Sequence, residues 1–164
     1  MLDLIKKRRS IRKYTAEPVS EADIRTLLEA AMAAPSANNS LPWEFVVVQE
    51  EGLRQKLAET HPWSHMCAGA PLVFVVCGDE QRSDHWVEDT SAATQNLLLA
   101  VTALDLGAVW VGVYPRPQRE EHVRKVLGIP RGLRVLCLVP VGHPAETKHP
   151  RSQYDERRVH FDGY

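Results

Sequence analysis

Hydrophobic positions switch between two spacings along the chain, and each switch marks an element. Ile24, Leu27, Leu28 and Ala31 follow helical spacing. Ser20 stands where a hydroxyl can cap that helix, with Asp23 three positions on, and Pro35 ends it. Residues 2–8 predict a shorter helix before it. Residues 44–49 (EFVVVQ) and 72–77 (LVFVVC) are continuous β-branched and aromatic runs, the pattern of central strands covered on both faces. Residues 88–106 read as a helix apolar on most faces, from Ala92 and Ala93 through Leu97, Leu98 and Leu99 to Leu104. Such a helix belongs either in a core or in a subunit interface. Gly107 stops it, residues 108–114 (AVWVGVY) predict a third strand, and residues 118–127 a helix closed by Gly128 and Pro130. Residues 134–141 (RVLCLVPV) predict a fourth strand.

Beyond Gly142 the pattern is lost. Residues 143–164 carry eight charged residues and little apolar material except Tyr154, Val159, Phe161 and Tyr164. Their burial cannot offset the ordering of that much chain, so this arm is either frayed or laid on another surface, a second subunit included. The whole predicts one α+β domain over residues 1–164, with helices around a mixed or antiparallel sheet of about four or five strands.

Composition then narrows the function classes. Twenty basic residues against twenty-one acidic leave a net charge of −1, so no global field favours nucleic acid. No uncharged apolar run reaches the roughly 18 residues of a membrane span. The start, MLDLIKKRRSIRKY, places its cations after its apolar residues, the reverse of a secretory signal. Cys67, Cys77 and Cys137 are odd in number and far apart, and two lie in apolar runs. Buried thiols in a cytoplasmic protein are expected, with no zinc spacing.

Three segments carry candidate chemistry. Lys6, Lys7, Arg8, Arg9, Arg12 and Lys13 put six cations in eight positions. Arg8 and Arg12 share a face in either a helix or a strand, and Ser10 joins them if the segment is extended. Guanidinium forks and a hydroxyl suit a phosphate monoester, although a solvated helix face has the same composition. Between two prolines, Ser36, Asn38, Asn39 and Ser40 could donate to a heteroaromatic ring, or form a plain turn into a strand. Gly112, inside the third strand pattern, marks either a close approach to a ligand or a bulge.

Taken together, RRSIRKY, APSANNSLPWEFVVV, DTSAATQNLLLAVTALDLGAVWVGVYP and VPVGHPAE resemble, in order and spacing, the nitroreductase family of FMN-dependent, NAD(P)H-oxidising flavoproteins. The resemblance spans residues 5–164. It implies an intertwined homodimer with two FMN sites at the subunit interface, and arm 143–164 packed on the partner subunit. It implies that Arg8, Arg9, Ser10 and Arg12 hold the phosphate, ribityl chain and pyrimidine edge. Pro35, Ser36, Ala37 and Asn39 match the loop contributed by the other subunit. Gly112 matches a backbone amide near the flavin N5, beside Trp110 and Val111. Arg151 fits the first position of a C-terminal basic pair that reaches the phosphate, but Gln153 stands at the second, with Lys148 as a substitute. Leu41 replaces a common Gln, and Val111 an acidic residue of larger members. No dedicated catalytic base is implied, because the flavin performs the chemistry. NAD(P)H would be the co-substrate and a nitroaromatic, quinone or enone the acceptor, in ping-pong order. Trp63, His65 and Trp86 are candidate walls of the acceptor pocket. Specialised relatives that fragment flavin or remove halogen, and a non-catalytic flavin carrier, are the alternatives.

Overall fold

A computed structural model describes all of residues 1–164. In chain order the elements are α1 (Leu2–Lys7), α2 (Glu21–Met32), β1 (Trp43–Val48), α3 (Glu51–Ala58), α4 (Met66–Gly69), β2 (Leu72–Asp79), α5 (Trp86–Ala103), β3 (Gly107–Ala108), β4 (Val111–Gly112), α6 (Pro117–Leu127) and β5 (Leu133–Gly142). The sheet runs β1-β2-β5-β3, with β4 also paired to β5. Every strand pair is antiparallel, so the sheet is not mixed. A single parallel bridge, Ser10 to Ala108, lies outside the strands.

The strand runs place the core. Along β2 alternate side chains enter different layers. Leu72, Phe74 and Val76 face Leu27 and Ala31 of α2 and Leu97 and Val101 of α5. Val73, Val75 and Cys77 face Leu57, Met66 and Val123 on the α3, α4 and α6 side. Burial on both faces explains the unbroken apolar reading of these strands. The α2 start is as expected, with Asp23 N–H donating to Ser20 Oγ at 3.0 Å.

Three local features depart from the sequence reading. The expected strand 108–114 is split into β3 and β4, which hold one register on β5; the gap at Val109 and Trp110 falls opposite Pro140 and Val139, and Pro140 has no N–H to give the ladder. The helices α3 and α4 were not predicted: α3 buries only Leu57 and is started by Glu50, which accepts from Gly52 N and Leu53 N. Residues 143–151 do not leave the body of the chain. They run back along its own N-terminal segment, through Thr15 N to His143 O, Ala145 N to Lys13 O and Arg151 N to Lys6 O. Beyond them the only regular structure is a short turn, Glu156–Arg158, and Tyr154, Phe161 and Tyr164 are exposed.

Gly107 makes a close approach necessary: a Cβ there would lie 2.7 Å from Ile11 Cγ2. Gly107→Ala therefore forces Ile11 outward and should cost about 1–3 kcal/mol of stability, measured by urea unfolding. All three cysteines are buried, and burial pushes the Cys67 and Cys77 thiols up to about 12. The native protein should leave its thiols unlabelled by a thiol reagent at pH 8, and denaturant should release all three.

Candidate functional site

The site begins where α1 stops. Arg8 caps that helix with φ −58° and ψ 116°, and the chain continues extended. Ile11 N–H donates to Ala108 O at 2.9 Å, and Ile11 itself is buried beside β3. In an extended segment side chains alternate. Arg8 and Ser10 therefore enter one cavity of about 600 Å³, with Gln95 and Leu98 of α5, Trp110, Arg151 and Gln153. Arg12 reaches a second cavity of about 530 Å³ with His61, Trp63, His65, Met66 and Val109 to Gly112. Trp110 borders both, so the two form neighbouring halves of one groove.

The groove is rich in unneutralised positive charge. Arg8, Arg12 and Arg151 have no carboxylate within the 4.0 Å of an ion pair, whereas many other cations of the chain do. Burial lowers the Arg8 pKa, and the like charges of Arg151 and Arg9 lower it further. Two guanidiniums held together without an anion form a site that an anion would stabilise.

Gly112 supplies the floor of the second half. A Cβ there would meet nothing within 4 Å, and its φ is not left-handed, so internal packing does not demand glycine. In an antiparallel ladder bonded and non-bonded pairs alternate. Val113 N–H bonds to Leu136 O, so Gly112, opposite Cys137, falls at a non-bonded pair. Its N–H and C=O point away from β5. The carbonyl is taken by Arg119 Nη1 at 3.0 Å. The bare Cα face and an amide off the ladder suit a flat ligand laid against the backbone.

The loop at residues 34–41 stands apart from both cavities. It packs beside residues 81–85 instead, with Ala37, Asn38 and Ser40 lining a polar hollow of about 240 Å³. Asn38, Asn39 and Leu41 all have left-handed backbone, with φ of 52°, 53° and 48°. A conformation of that cost persists only where the surroundings enforce it. Asp89 of α5, only 5% exposed, does so. Its carboxylate accepts from Ala37 N at 2.8 Å and from the Ser83 hydroxyl at 2.7 Å, and faces Ser40 Oγ at 3.5 Å. Ser36 Oγ accepts from Leu41 N and closes the loop.

Several expected site residues lie elsewhere. Arg9 falls on the opposite side of the alternation, where its guanidinium donates to the His149 carbonyl. Lys148 is used internally, donating to Ser10 O and lying 3.4 Å from Glu146, so it braces the segment rather than entering the groove. Trp86 is core: it meets Tyr114 edge-on at 4.9 Å and lies under the Arg134 guanidinium. Leu41 lines neither half of the groove. Trp63 and His65 do line it. Asp89, Gln95, Arg119 and His61 are additions that the spacing of residues did not announce. His61 Nδ1 accepts from Trp63 N at 3.1 Å, while its Nε2 is buried without a partner.

A sheet sandwiched between helices, with a cationic groove at the edge strands, defines a protein built to hold a flat anionic ligand. The chain belongs to the nitroreductase family, whose model matches residues 5–61 and 59–143. It is 42% identical to a provisionally named NADH dehydrogenase/NAD(P)H nitroreductase of Methanothermobacter thermautotrophicus, over 99% of this chain and 86% of that protein. It superposes on an FMN-dependent nitroreductase of Clostridium difficile with a TM-score of 0.96 and 31% identity, covering 100% of both chains. A provisionally named nitroreductase of Desulfovibrio desulfuricans, solved with FMN, gives a TM-score of 0.85 at 30% identity, covering 99% of this chain and 96% of that one.

Asp89→Ala would strand the Ala37 amide and the Ser83 hydroxyl. It should cost about 1.5–3 kcal/mol in urea unfolding, and unchanged stability would remove Asp89 as the pin of this loop.

Proposed function

We propose that this protein is an FMN-dependent oxidoreductase that uses NAD(P)H to reduce small acceptors such as nitroaromatics or quinones. The observation that carries the reading is the pair Arg8 and Arg151, converging in one cavity with no carboxylate between them. Their forks and the Ser10 hydroxyl fit a terminal phosphate, and the open Gly112 backbone fits the flat ring beside it. When bound, FMN supplies the hydride chemistry, accepting from the nicotinamide and delivering to the acceptor.

The protein's own part is position and charge. Arg12 places a permanent cation beside the ring, where negative charge develops on reduction. Trp110 separates the phosphate half of the groove from the ring half. Trp63, 74% exposed, and His65 flank the open side, where nicotinamide and acceptor would enter in turn. Burial and the Arg119 charge hold the His61 pKa below the ordinary histidine value.

The loop bearing Pro35, Ser36, Ala37 and Asn39 does not reach this groove within the chain, and the exposed Tyr154, Phe161 and Tyr164 lack a core of their own. Both facts support a homodimer of single-domain protomers. In it the loop of one copy would complete the groove of the other, and the arm beyond residue 151 would cross to its partner.

The freshly purified protein should be yellow, and anaerobic NADH or NADPH should bleach it. A colourless protein that takes up no added FMN would defeat the reading. Arg8→Ala should lose one charge-assisted bond worth about 1.5–3 kcal/mol, weakening FMN about 10- to 100-fold in a fluorescence titration. Sedimentation equilibrium at micromolar concentration should give a dimer, and a monomer alone would contradict the shared site.

A further inference from the structure

Around the Gly112 peptide lies a cluster that binding of a phosphate and a ring does not explain. Arg119, in the first turn of α6, is half-buried and has no carboxylate within ion-pair distance. The only side-chain hydrogen bond it makes is to the Gly112 carbonyl. His61, which lines the second cavity, stands against the same Gly112 backbone. Its Nδ1 is committed to the Trp63 amide, which leaves the proton on Nε2, buried beside the Gly112 backbone. The two groups are close enough for the cation to depress the imidazole's basicity.

An unpaired, partly buried cation costs free energy unless it acts on something. Its one partner is the peptide whose other face opens into the groove. Resting on the reading above, we propose that Arg119 is a positioning residue. It holds the Gly112 peptide through its carbonyl, next to His61, and its uncompensated charge biases bound FMN toward the reduced form. Reduction brings a hydride from NAD(P)H onto the ring and leaves one more negative charge there. A fixed cation one peptide away favours that state over the oxidised one. The phosphate-binding arginines do not discriminate in this way, because the phosphate charge is the same in both states.

The test compares wild type, Arg119→Met and Arg119→Lys by spectroelectrochemical titration of bound FMN, together with thermal unfolding. Arg119→Met should bind reduced FMN about tenfold more weakly while oxidised FMN changes by less than about twofold. That lowers the two-electron midpoint potential by about 30 mV. Arg119→Lys, which keeps the charge, should recover most of the shift. A lower melting temperature with an unmoved potential would assign Arg119 to structure alone and overturn the proposal. A second measurement needs no cofactor. In the protein stripped of FMN, NMR titration should show the His61 pKa rising in Arg119→Met, and an unchanged value would separate the two residues. Wild-type protein that binds no FMN would defeat the functional reading, while the histidine titration would still decide whether Arg119 and His61 act as one unit.

Discussion

Ile11, buried between Gly107 and the start of the sheet edge, fixes where every cation of the N-terminal segment points. Its amide is tied to Ala108, and the missing side chain at Gly107 leaves room for its methyl groups. Once that register is set, alternation along an extended chain sends Arg8 and Ser10 to one side and Arg9 to the other. The returning segment 143–151 then brings Arg151 to the same cavity as Arg8 through the bond between Arg151 N and Lys6 O. Like charges held together weaken the folded state, and an anion between them reverses the sign. Ligand binding and stability are thereby linked, since whatever binds only the native form stabilises it by mass action.

A second constraint works from the far side of the sheet. The 34–41 loop holds three left-handed residues, one of them Leu41, for which that conformation is unfavourable. Asp89 compensates with a buried carboxylate that serves two segments at once. Because α5 also carries Gln95 and Leu98 into the groove, one rigid helix positions both the loop and the cavity wall. Rigid elements that present short, enforced loops are the usual support for a preorganised site.

The sequence was informative where a pattern is local. Runs 72–77 and 134–141 became β2 and β5 because both their faces are covered, and run 44–49 became β1 at the sheet edge, where Glu44 is exposed and Phe45, Val46 and Val47 are half-buried. The long helix and the Ser20 cap are equally local features. The short helix α3 was hidden because a single buried side chain, Leu57, leaves no periodicity to see. The strand at 108–114 broke because Pro140 of β5, distant in sequence, stands opposite Val109 and has no N–H to complete the ladder. Distance in sequence also concealed the site's supports. Asp89 meets Ala37 across 52 positions, and nothing near either residue signals the other. Trp86 looked like a pocket wall because it lies between candidate motifs, but Arg134, held by Glu120 and Glu80, stacks over it and seals it in the core.

The central claim is that the guanidiniums of Arg8 and Arg151 exist to receive a phosphate. Titrating the cofactor-free protein with FMN and, in parallel, with riboflavin isolates that group, because the two ligands share every other atom. Capture of the phosphate by these side chains predicts an FMN dissociation constant at least about tenfold lower than that of riboflavin, with a gap that shrinks as salt is added. Equal affinities at low ionic strength would contradict it.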